Sequence, residues 1–321
     1  MASARDALEA LFRAELAGPV LPGAQRLASE LHARHGAAVV ALLFYGSCLR
    51  RGVSEGVLDF YVLVDGYRGA YGASALAALG AALPPNVHYL ELRAENLRAK
   101  YALISLADFA RRATPASVDC RIWSRFCQPA RLVWARDEEA RTAIVAAAAS
   151  AALTMASRML AWAPGDAPER TLAVRTLWAD AFRETYRAEL RSERPASIDA
   201  IAAADPARYA AVLRAALAAL AERGEIELLD ADEASVRVAQ PLAERVRARR
   251  AWRARRPLAK ALAIAGLLKT AFTFQGWLPY AVWKVERHSG AKIELSERQR
   301  RRPLLYAWPV IFRLLRSGAL R

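Results

Sequence analysis

Residues 38–65 read AVVALLFYGSCLRRGVSEGVLDFYVLVD, two apolar runs joined across a glycine–serine step. Residues 39–45 form an unbroken aliphatic and aromatic run, too short for a buried helix and stopped by Gly46, which suits a strand covered on both faces. Gly46 lets the backbone come close to a ligand, and Ser47 adds a hydroxyl beside newly freed backbone N–H groups, an arrangement that cradles phosphate oxygens. An ordinary strand-ending turn uses the same residues. A polar loop, residues 50–56, leads into the second run, residues 57–64, where Asp59 is an ionisable group inside an apolar strand. An unpaired carboxylate is costly to bury there. Its partner is either a divalent ion shared with nucleotide phosphates, or an arginine or backbone turn.

A hydrophobic strand, Gly-Ser, a spacer of roughly a dozen residues and an aspartate on a following strand resemble the nucleotidyltransferase fold. That fold usually carries two metal carboxylates at i and i+2 of the strand, since alternate residues share a face. Here i+2 is Tyr61. Asp65 keeps the alternation but lies roughly 20 Å further along a straight strand at ~3.3 Å per residue. It shares an ion with Asp59 only if the strand bends.

The chain has 321 residues, 55% of them hydrophobic, enough for two domains or for one with a large appendage. A net charge of +15 and a pI near 10.3 call for a polyanionic partner, whether nucleic acid, an anionic membrane surface, or nucleotide plus acidic lipid. Cys48, Cys120 and Cys127 stand at no metal-ligand spacing and point to a reducing compartment. His32, His35, His88 and His288 are scattered, which supports neither a zinc site nor a histidine-based triad. The N-terminal segment alternates acids and bases on a helical period and resembles neither a signal peptide nor an acid-poor transit peptide. Heavy alanine and arginine usage points to a GC-rich bacterial source.

Residues 4–17 and 24–33 read as helices that pack on the sheet, separated by a turn rich in proline and glycine. Residues 69–82 read as one small-residue helix ended by Pro84-Pro85, and 87–92 as a third strand. Glu91 on it is a solvent-facing edge residue or a further metal carboxylate. Residues 99–105 lead to a helix from Leu106, capped by Ser105 with Asp108 as its partner. Lys100 stands where it could reach a triphosphate. Residues 121–134 read as a helix end, a proline turn and a short strand, with the Arg125 guanidinium between Trp123 and Phe126 suited to phosphate.

Five blocks in order, Tyr45 to Ser47 (YGS), Leu58 to Asp65 (LDFYVLVD), Pro85 to Tyr89 (PNVHY), Lys100 to Ser105 (KYALIS) and Arg125 to Trp134 (RFCQPARLVW), resemble the mitochondrial translocator assembly and maintenance family. Its members are CDP-diacylglycerol synthases, phosphatidate cytidylyltransferases of the mitochondrial type. The resemblance covers residues 44–133. It implies that Gly46, Ser47 and Asp59 belong to a nucleotide and Mg²⁺ site, with Asp59 as the metal ligand, and that Asp65, Lys100 and Arg125 match positions the family keeps. It also implies an apolar residue where Tyr61 stands. Cys48, Ala102 and Ser124 replace glycines of the family pattern, and Cys127-Gln128 stand where Gln-Lys is expected. The first loses backbone freedom, and the last loses a lysine.

Beyond residue 133 the likeness is architectural. Residues 138–162 read as an alanine-rich helix. Residues 169–193 read as another whose charged face, with Arg175, Asp180, Arg183, Glu184, Arg187 and Glu189, is a solvated one. Residues 209–223 and the hairpin after them are compatible with a winged-helix-like unit. From 245 to 256 the chain reads RVRARRAWRARR, followed by apolar runs interrupted too often to span a bilayer. An interfacial amphipathic element fits these segments, with arginine and lysine on lipid phosphates and Trp252, Trp277, Trp283 and Trp308 at the boundary. Packing on the protein's own core and a grip on nucleic acid are the competing readings, the latter disfavoured because no RNA-binding motif accompanies the basic clusters.

The expectation is therefore an α+β chain: a nucleotidyltransferase-like domain over 1–135, a helical winged-helix-like domain over 136–244 and a basic amphipathic region over 245–321. The expected reaction is transfer of cytidylyl from CTP to phosphatidic acid with Mg²⁺, at the inner face of a bacterial cytoplasmic membrane. Asp59, Asp65 and Lys100 are its catalytic candidates; Gly46, Ser47 and Arg125 bind nucleotide. Another acceptor, either a lipid phosphate or a protein hydroxyl, and a non-catalytic binding module of the same fold are the alternatives.

Overall fold

The computed structural model describes residues 3–189, 195–273 and 296–297, and the fold is mixed α and β. Helix α1 (Ala4–Leu16) opens on a reciprocal capping box between Ser3 and Asp6. After it come α2 (Pro22–His35), β1 (Val39–Tyr45), α3 (Ser47–Arg51), β2 (Leu58–Val64), α4 (Tyr67–Tyr71), α5 (Ala75–Ala82), β3 (Asn86–Leu92), β4 (Leu97–Ser105), α6 (Leu106–Arg112), α7 (Trp123–Phe126) and β5 (Ala130–Ala135). The five strands form one mixed sheet in the order β3-β4-β2-β1-β5, in which only β2 and β4 run parallel.

Alternation along the strands separates two cores. Leu42, Phe44, Phe60, Val62, Tyr101 and Leu103 pack beneath α2 with Leu27 and Leu31. Leu43, Tyr61 and Ala102 face the other way, into a larger core shared with the second half of the chain.

That second half is α8 (Glu138–Trp162), β6 (Glu169–Ala173), α9 (Val174–Ala188), α10 (Pro195–Ala203), α11 (Pro206–Glu222), β7 (Glu227–Ala231), β8 (Ser235–Ala239) and α12 (Leu242–Thr273). Helix α8 is apolar enough to cross a membrane by length and composition, but it is mostly buried inside the protein, touching α1, α7, α9, α11 and α12. Strands β6, β8 and β7 form a three-stranded antiparallel sheet in that order.

Four expectations need correction. Residues 69–82 are not one helix, because Gly72 takes φ +65° and separates α4 from α5. Residues 169–173 are a strand, since buried Arg170 and the residues around it pair with β8 before α9 begins. Helix α1 packs chiefly on α8 and α11, with less contact to the sheet.

The fourth correction is the largest. Trp252 was expected at a membrane boundary, yet it is 3% exposed in a cluster with Trp123 and Trp162, and its indole N–H donates to Glu184. Nor does the basic run at 245–256 lie wholly in solvent. Arg245 is buried and donates to the Gly165 and Ala167 carbonyls, while Arg249 donates to Ala161 and Ala163 at the end of α8. Cations at a helix C-terminus satisfy its orphan carbonyls and complement its dipole. The later part of the same helix is different: Leu258 and Ile264 are half exposed. Trp277, Trp283, Trp308 and the run at 304–315 lie outside the described residues.

Candidate functional site

One rung crosses the sheet at its open end. Strand register sets Asp59 on β2 opposite Tyr45 on β1 and opposite Lys100 on β4. The next rung on that face holds Tyr61 and Ala102, with Val87 on β3. Together these residues floor a cavity of about 390 Å³.

The turn after β1 closes against this floor. Gly46 has φ +92°, and a Cβ built on it would lie 2.6 Å from Oδ2 of Asp59, so both the backbone and the carboxylate require glycine. Ser47 begins α3 and is exposed at the cavity. Arg50, one helical turn on, also lines the cavity and donates to the Gln128 side chain at 3.3 Å. Gln128 in turn donates to the Ser124 carbonyl at 2.7 Å.

The far wall carries two arginines, each held by a carboxylate. Arg125 forms a two-pronged ion pair with Glu189 at 2.8 and 3.3 Å, both side chains nearly buried, and also donates to the Arg121 carbonyl. Burial works against the Arg125 charge, but Glu189, helped by Tyr61 and Tyr45, more than offsets it and holds the guanidinium firmly protonated. Burial alone would raise the Asp119 carboxyl; Arg121 and Arg112 on either side keep it below the usual carboxylate range. Burial pushes the Cys120 thiol well up, so it stays protonated. Ala259, Ala263 and Gly266 of α12 form the roof, small residues that leave the cavity open. Lys269, one turn beyond, is buried and donates to the carbonyls of Leu83 and Pro85 and to Asn86.

Gly46, Ser47, Asp59, Lys100 and Arg125 thus come together around one cavity. Asp65 does not join them. It follows the last residue of β2, exposed, in an ion pair with Arg136 at 2.5 Å, six positions on from Asp59 along a strand that stays in unbroken register with β4. Glu91 is likewise elsewhere, paired with Arg98 and Arg93. Cys48, in place of a glycine, is accommodated: its backbone is helical, and its buried thiol points away to the Glu55 and Val57 carbonyls.

Sequence reasoning missed Arg50, Arg121 and Glu189. Arg50 was legible as the i+3 neighbour of Ser47 on a helix, had the loop been read as one. Glu189 was assigned to a solvated face, and no local signal marks the residue of such a face that turns inward.

No model of a known protein family matches the chain, and no curated protein matches it either.

Proposed function

We propose that this chain is a nucleotidyltransferase that transfers cytidylyl from CTP to the phosphate of phosphatidic acid, releasing pyrophosphate and forming CDP-diacylglycerol. The observation that carries the reading is the Tyr45–Asp59–Lys100 rung closed by the Gly46-Ser47 turn at the mouth of a cavity lined by Arg50, Arg121 and Arg125. Among the described residues of the lining, four cations face three carboxylates. Arg121 and Arg125 are held by Asp119 and Glu189, and Arg50 and Lys100 near Asp59 suit a polyphosphate with its counter-ion. The arrangement supports a nucleotidyltransferase fold for the first sheet. The helix, strand, helices and hairpin from α8 to β8, with strand order β6-β8-β7, support a winged-helix-like unit beside it.

The chemistry asks for little covalent help. A phosphatidate phosphate oxygen attacks the α-phosphorus of CTP in line; the new P–O bond forms as the bond to the β-phosphate bridge breaks, and pyrophosphate leaves. The nucleophile is already an anion, so no general base is required. Lys100, Arg50 and Arg125 balance charge on the triphosphate, and Ser47 contributes a hydroxyl contact. The residues fit Mg²⁺, which is commonly held by one or two carboxylates together with substrate phosphates and water, and Asp59 with Ser47 would hold it here. When bound, it neutralises phosphate charge.

Val87 and Ala102 on the floor and the small residues of α12 on the roof give the cavity apolar lining beside its charged residues, which favours a lipid acceptor over a sugar or nucleic acid. Exposed Leu258 and Ile264, on the same helix as exposed Arg247, Arg250 and Arg253, support peripheral attachment at the inner face of a bacterial cytoplasmic membrane.

The test is pyrophosphate release from each of the four NTPs with Mg²⁺, with and without phosphatidic acid in micelles. CTP-selective, lipid-dependent release is expected, abolished by Asp59→Asn with the fold retained. Release without lipid, or with another nucleotide, would replace the substrate. No release with any of them would leave a binding module.

A further inference from the structure

Two charged segments far apart in the sequence meet on the surface. The polar face of α9 supplies Arg183 and Arg187, and the first half of α12 supplies Arg249, Arg253 and Arg256; between them lies a groove of about 430 Å³. Its acids are Asp180 and Glu184. Five permanently charged guanidiniums therefore face two carboxylates.

The pairing inside the groove is incomplete. Arg183 is held by Asp180 and Asp199, and Arg256 by Glu184. Arg187 and Arg253 are exposed and have neither hydrogen bond nor ion pair among the described residues. At the groove wall the buried indole nitrogen of Trp162 also lacks an acceptor. An anion with several oxygens would meet all three.

What lies next to the groove narrows the kind of anion. Ile264 is three turns beyond Arg253 on the same side of the helix, about 16 Å along it at 1.5 Å per residue. Leu258, Ala261 and Ile264 are exposed and continue the exposed face of α12 that carries Arg247, Arg250 and Ala254. Basic groove and exposed Ile264 thus follow one another along one side of the helix, with Leu258 and Ala261 turned to its outer side, an order of charge then apolar surface found in elements at the boundary between lipid headgroups and acyl chains. A single-stranded nucleic acid would need exposed aromatic rings to stack on, whereas Trp252 is buried and Trp162 packs against it.

We propose that the groove between α9 and α12 binds the phosphate-bearing headgroup of an anionic phospholipid, separately from the nucleotide cavity. The choice of a lipid rests on the reading of the chain as a membrane-surface protein, but the site does not depend on which nucleotide the cavity takes.

The test compares two charge-matched double variants of the full chain in vesicle flotation. Arg187→Glu with Arg253→Glu alters the groove; Arg68→Glu with Arg93→Glu makes the same change in net charge on exposed residues outside it. Vesicles are phosphatidylcholine with or without phosphatidylglycerol, a phosphodiester that is not the acceptor of the proposed reaction. The groove variant should lose at least tenfold in partition onto the phosphatidylglycerol vesicles, and the control pair far less. Equal loss in both would overturn the site, since the chain would then sense only total charge. Calorimetric titration with inorganic phosphate distinguishes a free anion: phosphate binding that the groove variant abolishes, with flotation intact, would overturn the lipid assignment. An RNA gel shift sensitive to the groove variant, with flotation intact, would overturn it in favour of nucleic acid.

Pyrophosphate release in micelles is measured in parallel and should survive in the groove variant. If no variant, wild type included, releases pyrophosphate but the flotation pattern holds, the enzymatic reading fails and the groove stands; normal release with unaltered flotation sinks the groove alone.

Discussion

Gly46 and Asp59 crowd each other across the β1–β2 pair: a Cβ built on the glycine would lie only 2.6 Å from Oδ2 and 3.2 Å from the Asp59 Cβ, so any side chain there would overlap the carboxylate. The turn and the acid are therefore one unit, since the glycine's positive φ and the position of the acid depend on the same absent Cβ.

Gly46→Ala should cost about 1–3 kcal/mol from its backbone conformation alone, φ +92° with ψ −162°, and should displace the Asp59 carboxylate. Lipid-dependent pyrophosphate release is expected to fall at least a hundredfold while circular dichroism stays native. An alanine variant with near-normal turnover would show that the position of Asp59 does not matter to the reaction.

The Arg125–Glu189 pair joins the first sheet's helical edge to α9, and both side chains are nearly buried. Removing one partner leaves a buried charge uncompensated, so Glu189→Ala should destabilise by about 3–5 kcal/mol. The double change Arg125→Met with Glu189→Leu should recover most of that stability and none of the turnover. If the double variant were as unstable as the single one, the pair would owe its role to shape, with charge incidental.

β1, β2 and their turn are legible because their signals are local: two apolar runs, one glycine and one acid inside the second run. Lys100 is legible through its place before an apolar segment and through the resemblance, and β4 sets it beside Asp59. Glu189 and Trp252 are not, since each lies on a helix whose buried side is chosen by a partner more than sixty residues away. Arg245 and Arg249 illustrate the same limit. A run of arginines reads as a solvated or lipid-facing cluster until the carbonyls at the end of α8 and in the segment after it are seen in front of it. Asp65 shows the converse, a position matched by resemblance that the unbroken length of β2 carries away from the cavity.

Trp252 packs between Trp123 and Trp162 at ring separations of 6.0 and 5.2 Å. Trp252→Ala should therefore lower unfolding free energy by about 3–5 kcal/mol, the range for truncating a large core aromatic. Trp252→Phe retains most of that packing and should bind vesicles as well as wild type does. Weakened vesicle binding by the phenylalanine variant, with stability unchanged, would return this residue to the membrane boundary.

On the face of the sheet away from the cavity, His88 stacks on Tyr101 at 5.0 Å and shares a 2.6 Å hydrogen bond with Tyr71, while His35 meets the Tyr101 hydroxyl at 3.2 Å. Burial lowers both imidazoles to about 4, with Arg34 acting on both and His35 and Lys269 also on His88; no carboxylate opposes the shift. In the unfolded chain both return to the ordinary value near 6.5. Between those values the unfolded state binds more protons than the folded one, so stability is fully present above about pH 6.5 and is lost as pH falls toward 4. Urea unfolding across this window should show a slope approaching two protons from this pair. His35→Gln with His88→Gln should flatten the slope by that amount and leave it unchanged above pH 7. An acid slope identical to wild type in the double variant would mean that these histidines are already protonated in the native protein.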